Sequence, residues 1–313
     1  MSSNGQVLAG LMGQAYLEVI PTKTIVDRLV HLPQHSYLSI TCSPAAGVGP
    51  TLDMVDELRA LPEERQLKLV PHIAARVVRD KGHLREILAR LDEARVDSVF
   101  VPGGDAARPA GDYDCSLDLL RDIADIGHRF EDVGVAAHPE GHPMVDDEEL
   151  LRLLLEKQKY ANYLVTQMCF DSDVMINWLR TIRKAGVTLP AWLGLPGVAE
   201  IPKLISLSLK IGVGQSVNVL RKQKGLVRKM IRAKPYKPDD LLAGLVPYLD
   251  DPVLDIPGFH LFSFNNVENS ERWRVETMKT YTEHGDGPGQ KKWQAGAPGG
   301  APGRVCGAPR SRR

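Results

Sequence analysis

Short apolar runs alternate along this chain with longer stretches whose apolar residues recur every three or four positions. The runs at 15–21, 37–42, 67–73, 98–101, 163–170, 191–196 and 258–264 read as strands. Asp132-Val-Gly-Val-Ala-Ala reads as another, apolar enough to be buried on both faces and stopped near His138 by Pro139. Between the strands the spacing predicts helices. One over 22–32 is entered at Thr22, and another covers 52–61. A third opens at Asp80 with Leu84, Ile87, Leu88 and Leu91 on one face, and a fourth at Ser116 with Leu119, Leu120, Ile123 and Ile126. Others begin at the acidic Asp146, at Ser172 with Ile176, Leu179 and Ile182, and cover 202–211 and 267–282. Eight strand-then-helix units thus fill about 270 residues, which favours a single (β/α)8 TIM barrel over a doubly wound sheet.

In such a barrel the carboxyl ends of all strands meet at one mouth, where ligands bind. Walking round, those ends carry Glu18, Thr41, His72, Asp105, the group His138, Glu140 and His142, and then Gln167. Six consecutive strands finish on polar or titratable residues while their interiors stay apolar, so residues scattered over about 150 positions are predicted to converge. Turn chemistry alone accounts for some polar strand ends, so the convergence of all six carries the prediction.

Composition narrows the picture. The 39 Lys+Arg residues balance 39 Asp+Glu, giving no global attraction to nucleic acid or acidic membranes. No apolar run approaches the ~18 residues of a membrane span, and Met1-Ser-Ser-Asn-Gly-Gln6 lacks a signal-peptide layout. Cys42, Cys115, Cys169 and Cys306 show neither CxxC nor zinc spacing and read as reduced thiols of a cytoplasmic protein. Two segments fall outside the repeat. The basic stretch 221–237 reads as a solvated linker or as a site for an acidic tail on a substrate, and the Gly/Pro/Ala-rich 285–313 as a disordered tail beyond a barrel over 1–284.

Together these residues resemble the methylenetetrahydrofolate reductase family. The resemblance is carried by Leu17-Glu-Val-Ile-Pro21, Val70-Pro-His-Ile73, Val101-Pro-Gly-Gly-Asp105, Ala136-Ala-His-Pro-Glu-Gly-His-Pro143, Val165-Thr-Gln-Met-Cys-Phe-Asp171 and Gly258-Phe-His-Leu-Phe-Ser-Phe-Asn265, in family order. It implies a barrel that reduces 5,10-methylenetetrahydrofolate with NADH or NADPH, usually through FAD. It also implies a general acid at Glu18, an anion for the iminium charge at Asp105, and pterin or substrate contacts at Gln167 and Phe170. Thr41, His72, Gly103, Gly104, His138, Glu140 and His142 are implied on the cofactor side. An acid at Glu18 must be withdrawn from water to hold its proton near neutral pH. The bland readings are an ion-paired carboxylate at Glu18, a turn aspartate at Asp105, a strand threonine at Thr41 and a satisfied buried His72.

For His138, Glu140 and His142 two prolines forbid the helix that an HExxH metal site needs, so cofactor or substrate contact is the preferred reading and a loop metal site the alternative. The departures from the family gather on the flavin side: Gly103 stands where an arginine is expected and His138 where a tyrosine is. The basic helix end is reduced to Leu154-Leu-Glu-Lys-Gln-Lys-Tyr-Ala161, and Asn266 replaces an arginine. FAD is therefore expected to bind weakly or not at all, with hydride passing directly from the nicotinamide. The substrate is expected to be a folate, possibly polyglutamylated. The competing expectation is a barrel that binds methyltetrahydrofolate without reducing it, as a methyltransferase partner or regulatory paralogue would.

Overall fold

The computed structural model describes residues 3–210 and 235–284. All but the last three residues of the basic stretch, and the whole 285–313 tail, lie outside the described residues.

Eight parallel strands form one sheet: β1 (Tyr16–Val19), β2 (Tyr37–Ile40), β3 (Lys68–Pro71), β4 (Ser98–Val101), β5 (Asp132–Ala137), β6 (Tyr163–Thr166), β7 (Ala191–Pro196) and β8 (Gly258–Phe262). The ladder runs β3-β2-β1-β8-β7-β6-β5-β4. Its ends meet where His72 bridges Phe100 and the Ile73 amide donates to the Phe100 carbonyl at 2.9 Å, closing a (β/α)8 barrel. The helices are α1 (Ser3–Gly13), α2 (Ile25–Arg28), α3 (Gly49–Arg59), α4 (Lys81–Glu93), α5 (Ser116–Ile126), α6 (Asp147–Lys157), α7 (Ser172–Lys184), α8 (Ile201–Lys210), α9 (Asp239–Leu245) and α10 (Val267–His284).

The period of two decides which side chains enter the barrel. One alternating set of strand positions, with Leu17, Leu38, Leu69, Val99, Val133, Leu164, Leu193 and Leu261 among them, points outward and packs under the helices. Burying each such side chain contributes roughly 1.5–3 kcal/mol before conformational entropy is counted. The alternate set points inward. Tyr16, Val70, Phe100, Tyr163 and Val165 fill the middle of the barrel, with Tyr37, Ala136 and Trp192 against them. The barrel is therefore plugged across its middle.

Several local readings need correction. The first helix after β1 is short and passes into a 3-10 turn at Leu29–His31, with no side-chain cap at Thr24. Asp171, not Ser172, caps α7, accepting from the Asp173 and Val174 amides. Ser116 lies inside α5 rather than at its cap, and is buried. Strand β6 ends at Thr166, four residues before the predicted limit at Phe170. Asp80 and Asp146 cap α4 and α6 as expected, each accepting an amide hydrogen bond at 2.8 Å.

Candidate active site

Glu18 is the next-to-last residue of β1 and points inward, level with Ser39 of β2 and Phe262 of β8. Its Oε2 lies 3.0 Å from His260 Nε2 and 4.0 Å from His72 Nε2. His72 in turn shares a 2.6 Å hydrogen bond with the Ser39 hydroxyl. Ser39, His72 and His260 are each at most 6 % exposed, whereas the Glu18 side chain keeps 16 %. The result is a buried polar line, Ser39–His72–Glu18–His260, laid across the top of the apolar plug. Phe100 and Phe262 border it, their ring centroids 4.7 Å from His72 and 5.0 Å from His260.

The buried Nδ1 of His260 has no hydrogen-bond partner. A bare ring nitrogen is less costly to bury than a stranded N–H, which favours the tautomer with its proton on Nε2. His260 then donates to Glu18 Oε2, leaving Oε1 without a hydrogen bond among the described residues. Burial holds the His72 ring neutral, its pKa lowered to about 4 although Glu18 pulls the other way. Glu18 is thus a carboxyl fixed by one oxygen, beside a neutral imidazole.

The burial of His72 has a consequence for stability. The unfolded chain protonates this ring near pH 6.5, the folded one only near pH 4, so between those values the unfolded state binds more protons. Stability falls as the solution is acidified through that window, by about 3 kcal/mol from this ring alone. Thermal melts at pH 7.0 and about 4.5 should show a steeper loss for the wild type than for His72→Phe. Parallel losses would mean that His72 titrates normally.

The other expected residues gather at the same end. Thr41 follows β2; its amide donates to the Val19 carbonyl and its own carbonyl accepts from the Thr51 hydroxyl at 2.8 Å. Asp105 lies four residues beyond β4, exposed, and makes no hydrogen bond or ion pair among the described residues. Its charge is felt by His142, which places it beside the loop after β5. In that loop His138 and His142 meet edge to face at 5.1 Å, with half-buried Glu140 between them in sequence. Burial, with help from His142 and Lys157, lowers the His138 pKa to about 4.

Gln167 and Phe170 both make contacts within the protein. Gln167 follows β6 at the mouth, and its side-chain oxygen accepts from the neighbouring Met168 amide at 2.8 Å, with its amide N–H groups left to donate. Phe170 is 4 % exposed, packed with Met168, Leu204 and Tyr236, and offers no open face to a substrate. Sequence reading also missed His260 and Ser39. Both stand at inward positions of their strands, so polar residues with the parity of Glu18 were the available signal.

A flavin dinucleotide needs cations for its diphosphate. Arg152 is taken by Glu149 through bonds of 2.6 and 2.7 Å, and Lys159 by Glu156 at 2.9 and 3.0 Å. Among the described cations of this helix end only half-buried Lys157, with its pKa lowered by burial, remains unpaired beside His138 and His142. At Gly103 the expected arginine is absent, and an added Cβ would meet nothing within 4 Å. Among the described residues this helix end thus offers a diphosphate one cation without a carboxylate partner, Lys157. Among the described residues no group of three His, Cys, Asp or Glu side chains is arranged to hold a metal ion. No helix among them is long and apolar enough to cross a membrane.

A closed barrel whose mouth gathers a histidine-anchored carboxylate, a second unpaired carboxylate and a row of polar strand ends defines a (β/α)8 barrel with an acid-centred mouth. The family model described as methylenetetrahydrofolate reductase matches residues 21–218, more than half of the chain. The chain belongs to the methylenetetrahydrofolate reductase family. It is 33% identical over 119 residues to methylenetetrahydrofolate reductase 1 of Schizosaccharomyces pombe, covering 37% of this chain and 18% of that protein. It is 34% identical over 96 residues to methylenetetrahydrofolate reductase 2 of Saccharomyces cerevisiae, covering 29% of this chain and 15% of that one. To methylenetetrahydrofolate reductase (NADH) 1 of Arabidopsis thaliana it is 25% identical over 199 residues, 60% of this chain and 29% of the relative. The matched stretch thus spans less than a third of each relative.

Proposed function

We propose that this chain reduces 5,10-methylenetetrahydrofolate to 5-methyltetrahydrofolate with hydride taken directly from NADH or NADPH. The observation that carries the reading is the Glu18 carboxyl, anchored through Oε2 by buried His260 and free at Oε1, at the mouth of a barrel of this family. Glu18 gives its proton to the leaving nitrogen of the substrate's five-membered ring. That C–N bond breaks and the one-carbon unit becomes an iminium cation. The Asp105 carboxylate, unpaired among the described residues, stabilises this positive charge as it develops. Gln167 donates to the pterin edge through its amide N–H groups. The nicotinamide C4–H delivers hydride to the iminium carbon, giving the methyl group and the oxidised dinucleotide. His138, in the loop after β5, is the residue assigned to flank the flat donor ring.

The direct test is oxidation of NADH or NADPH by the purified chain with methylenetetrahydrofolate, with and without added FAD. Turnover without FAD and no rise on adding it are expected. Binding of methyltetrahydrofolate with no oxidation would favour a non-reducing folate barrel instead. Within this mechanism His260 fixes the acid. Substituting His260 by Phe keeps a ring there and deletes the Nε2–H, and is expected to lower kcat about 10-fold with little change in KM for NADH. An unchanged kcat would remove His260 from the mechanism.

A further inference from the structure

Asp105 has no side-chain partner among the described residues, yet an anion that stabilises a developing cation must sit still, because misplacement weakens electrostatic preorganisation. We propose that Arg76 is the positioning residue that holds Asp105 in register; the inference rests on the assignment of Asp105 to the iminium charge. Arg76 lies in the loop after β3 and brackets Asp105 from both sides in sequence. Its backbone amide donates to the Gly103 carbonyl at 3.0 Å and its carbonyl accepts from the Ala110 amide at 2.9 Å. Its guanidinium reaches beyond Asp105: Nε donates to the Ala106 carbonyl at 2.7 Å and Nη2 to the Ala107 carbonyl at 3.1 Å. Nη1 donates to the Asp114 carbonyl at 3.1 Å and to its carboxylate at 2.6 Å.

The planar fork suits this task, since five donors in fixed geometry can hold several carbonyls at once, which a lysine cannot do. The Arg76 side chain is 18 % exposed whereas that of Asp114 is 77 % exposed, so the clamp lies under the loop with one end open to solvent. Gly104 completes it. Its φ is +93° and a Cβ there would lie 3.1 Å from the Ala74 side chain, so the turn that delivers Asp105 sits close against the loop residues Ala74 and Arg76. The loop around the cation-stabilising carboxylate is therefore fastened to the loop after β3 and not to its own strand alone. A short link of this kind transmits an error of position at residue 76 directly to the anion.

The test is a double-mutant cycle on kcat, with Arg76→Met, Asp105→Asn and both together, using the full chain and methylenetetrahydrofolate. Arg76→Met is expected to lower kcat roughly 10- to 50-fold, and to lower it less than about 2-fold once Asp105 is already Asn. KM for NADH stays near the wild-type value, and Arg76→Lys, with one donor group in place of the fork, recovers little. Should Arg76→Met fail to fold, Asp114→Ala serves the same cycle. It removes one carboxylate acceptor from an exposed residue, with an expected loss of about 3-fold that vanishes in the Asp105→Asn background. A loss that multiplies on top of Asp105→Asn, or no loss at all, overturns the role of Arg76. If Asp105→Asn alone is as active as wild type, the assignment of Asp105 fails first and takes this inference with it.

Discussion

Glu18→Gln is expected to slow the reduction of methylenetetrahydrofolate by about 10²–10⁴-fold, the usual worth of a positioned general acid. The exchange is nearly isosteric and keeps an acceptor oxygen for the His260 Nε2–H, now 3.0 Å away. Packing against Phe262 and the buried line to His72 and Ser39 should survive, so the loss would belong to the proton. Because Glu18 leads only the ring-opening step, KM for NADH should stay near its wild-type value. Melting temperature serves as the control and should shift little. Wild-type-like turnover in the glutamine variant would take Glu18 out of the chemistry and leave it as a buried structural carboxylate.

The second large effect concerns the barrel itself. Gly194 sits on β7 with an inward-pointing position, and its amide donates to the Thr166 hydroxyl at 2.8 Å. A Cβ at Gly194 would overlap the Thr166 backbone carbonyl and come within 2.9 Å of the Phe262 ring. A ring can turn aside, but the carbonyl belongs to β6 and can retreat only by separating two strands. Gly194→Ala is therefore expected to destabilise the fold by about 3 kcal/mol, lowering the melting temperature by roughly 5–10 °C. Gly103→Ala is the control, since a Cβ there meets nothing within 4 Å and its melting temperature should be unchanged. Equal melting temperatures for wild type and Gly194→Ala would mean that β6 and β7 yield more easily than the packing implies.

How much of this was legible in the sequence follows from the range over which each signal acts. Strand positions were readable because burial on both faces leaves runs such as Val133 to Ala137 with hardly a polar residue, a purely local pattern. Helix α1 was not. It carries two fully buried anchors, Leu8 and Met12, among three glycines, and its stability comes from packing on α10 rather than from its own propensity. Glu18, His72, Asp105 and the His138–His142 loop were placed at the mouth by strand count alone. Their partners were not, because the link from Glu18 to His260 spans 242 residues and nothing local announces it. Gln167 and Phe170 show the limit from the other side. Sequence positions them at a strand end, but only packing decides that one amide oxygen folds back on the chain and one ring is buried.

The central claim is that nicotinamide hands its hydride straight to the folate at the mouth anchored by Glu18. It is tested most directly by NADH carrying deuterium on the transferred position of C4, with methylenetetrahydrofolate, no added flavin, and mass analysis of the product. The account predicts 5-methyltetrahydrofolate with one deuterium retained in its methyl group. Passage through a flavin would put the label on a ring nitrogen, where it exchanges with water, so an unlabelled product, or product formed only once FAD is supplied, would contradict it.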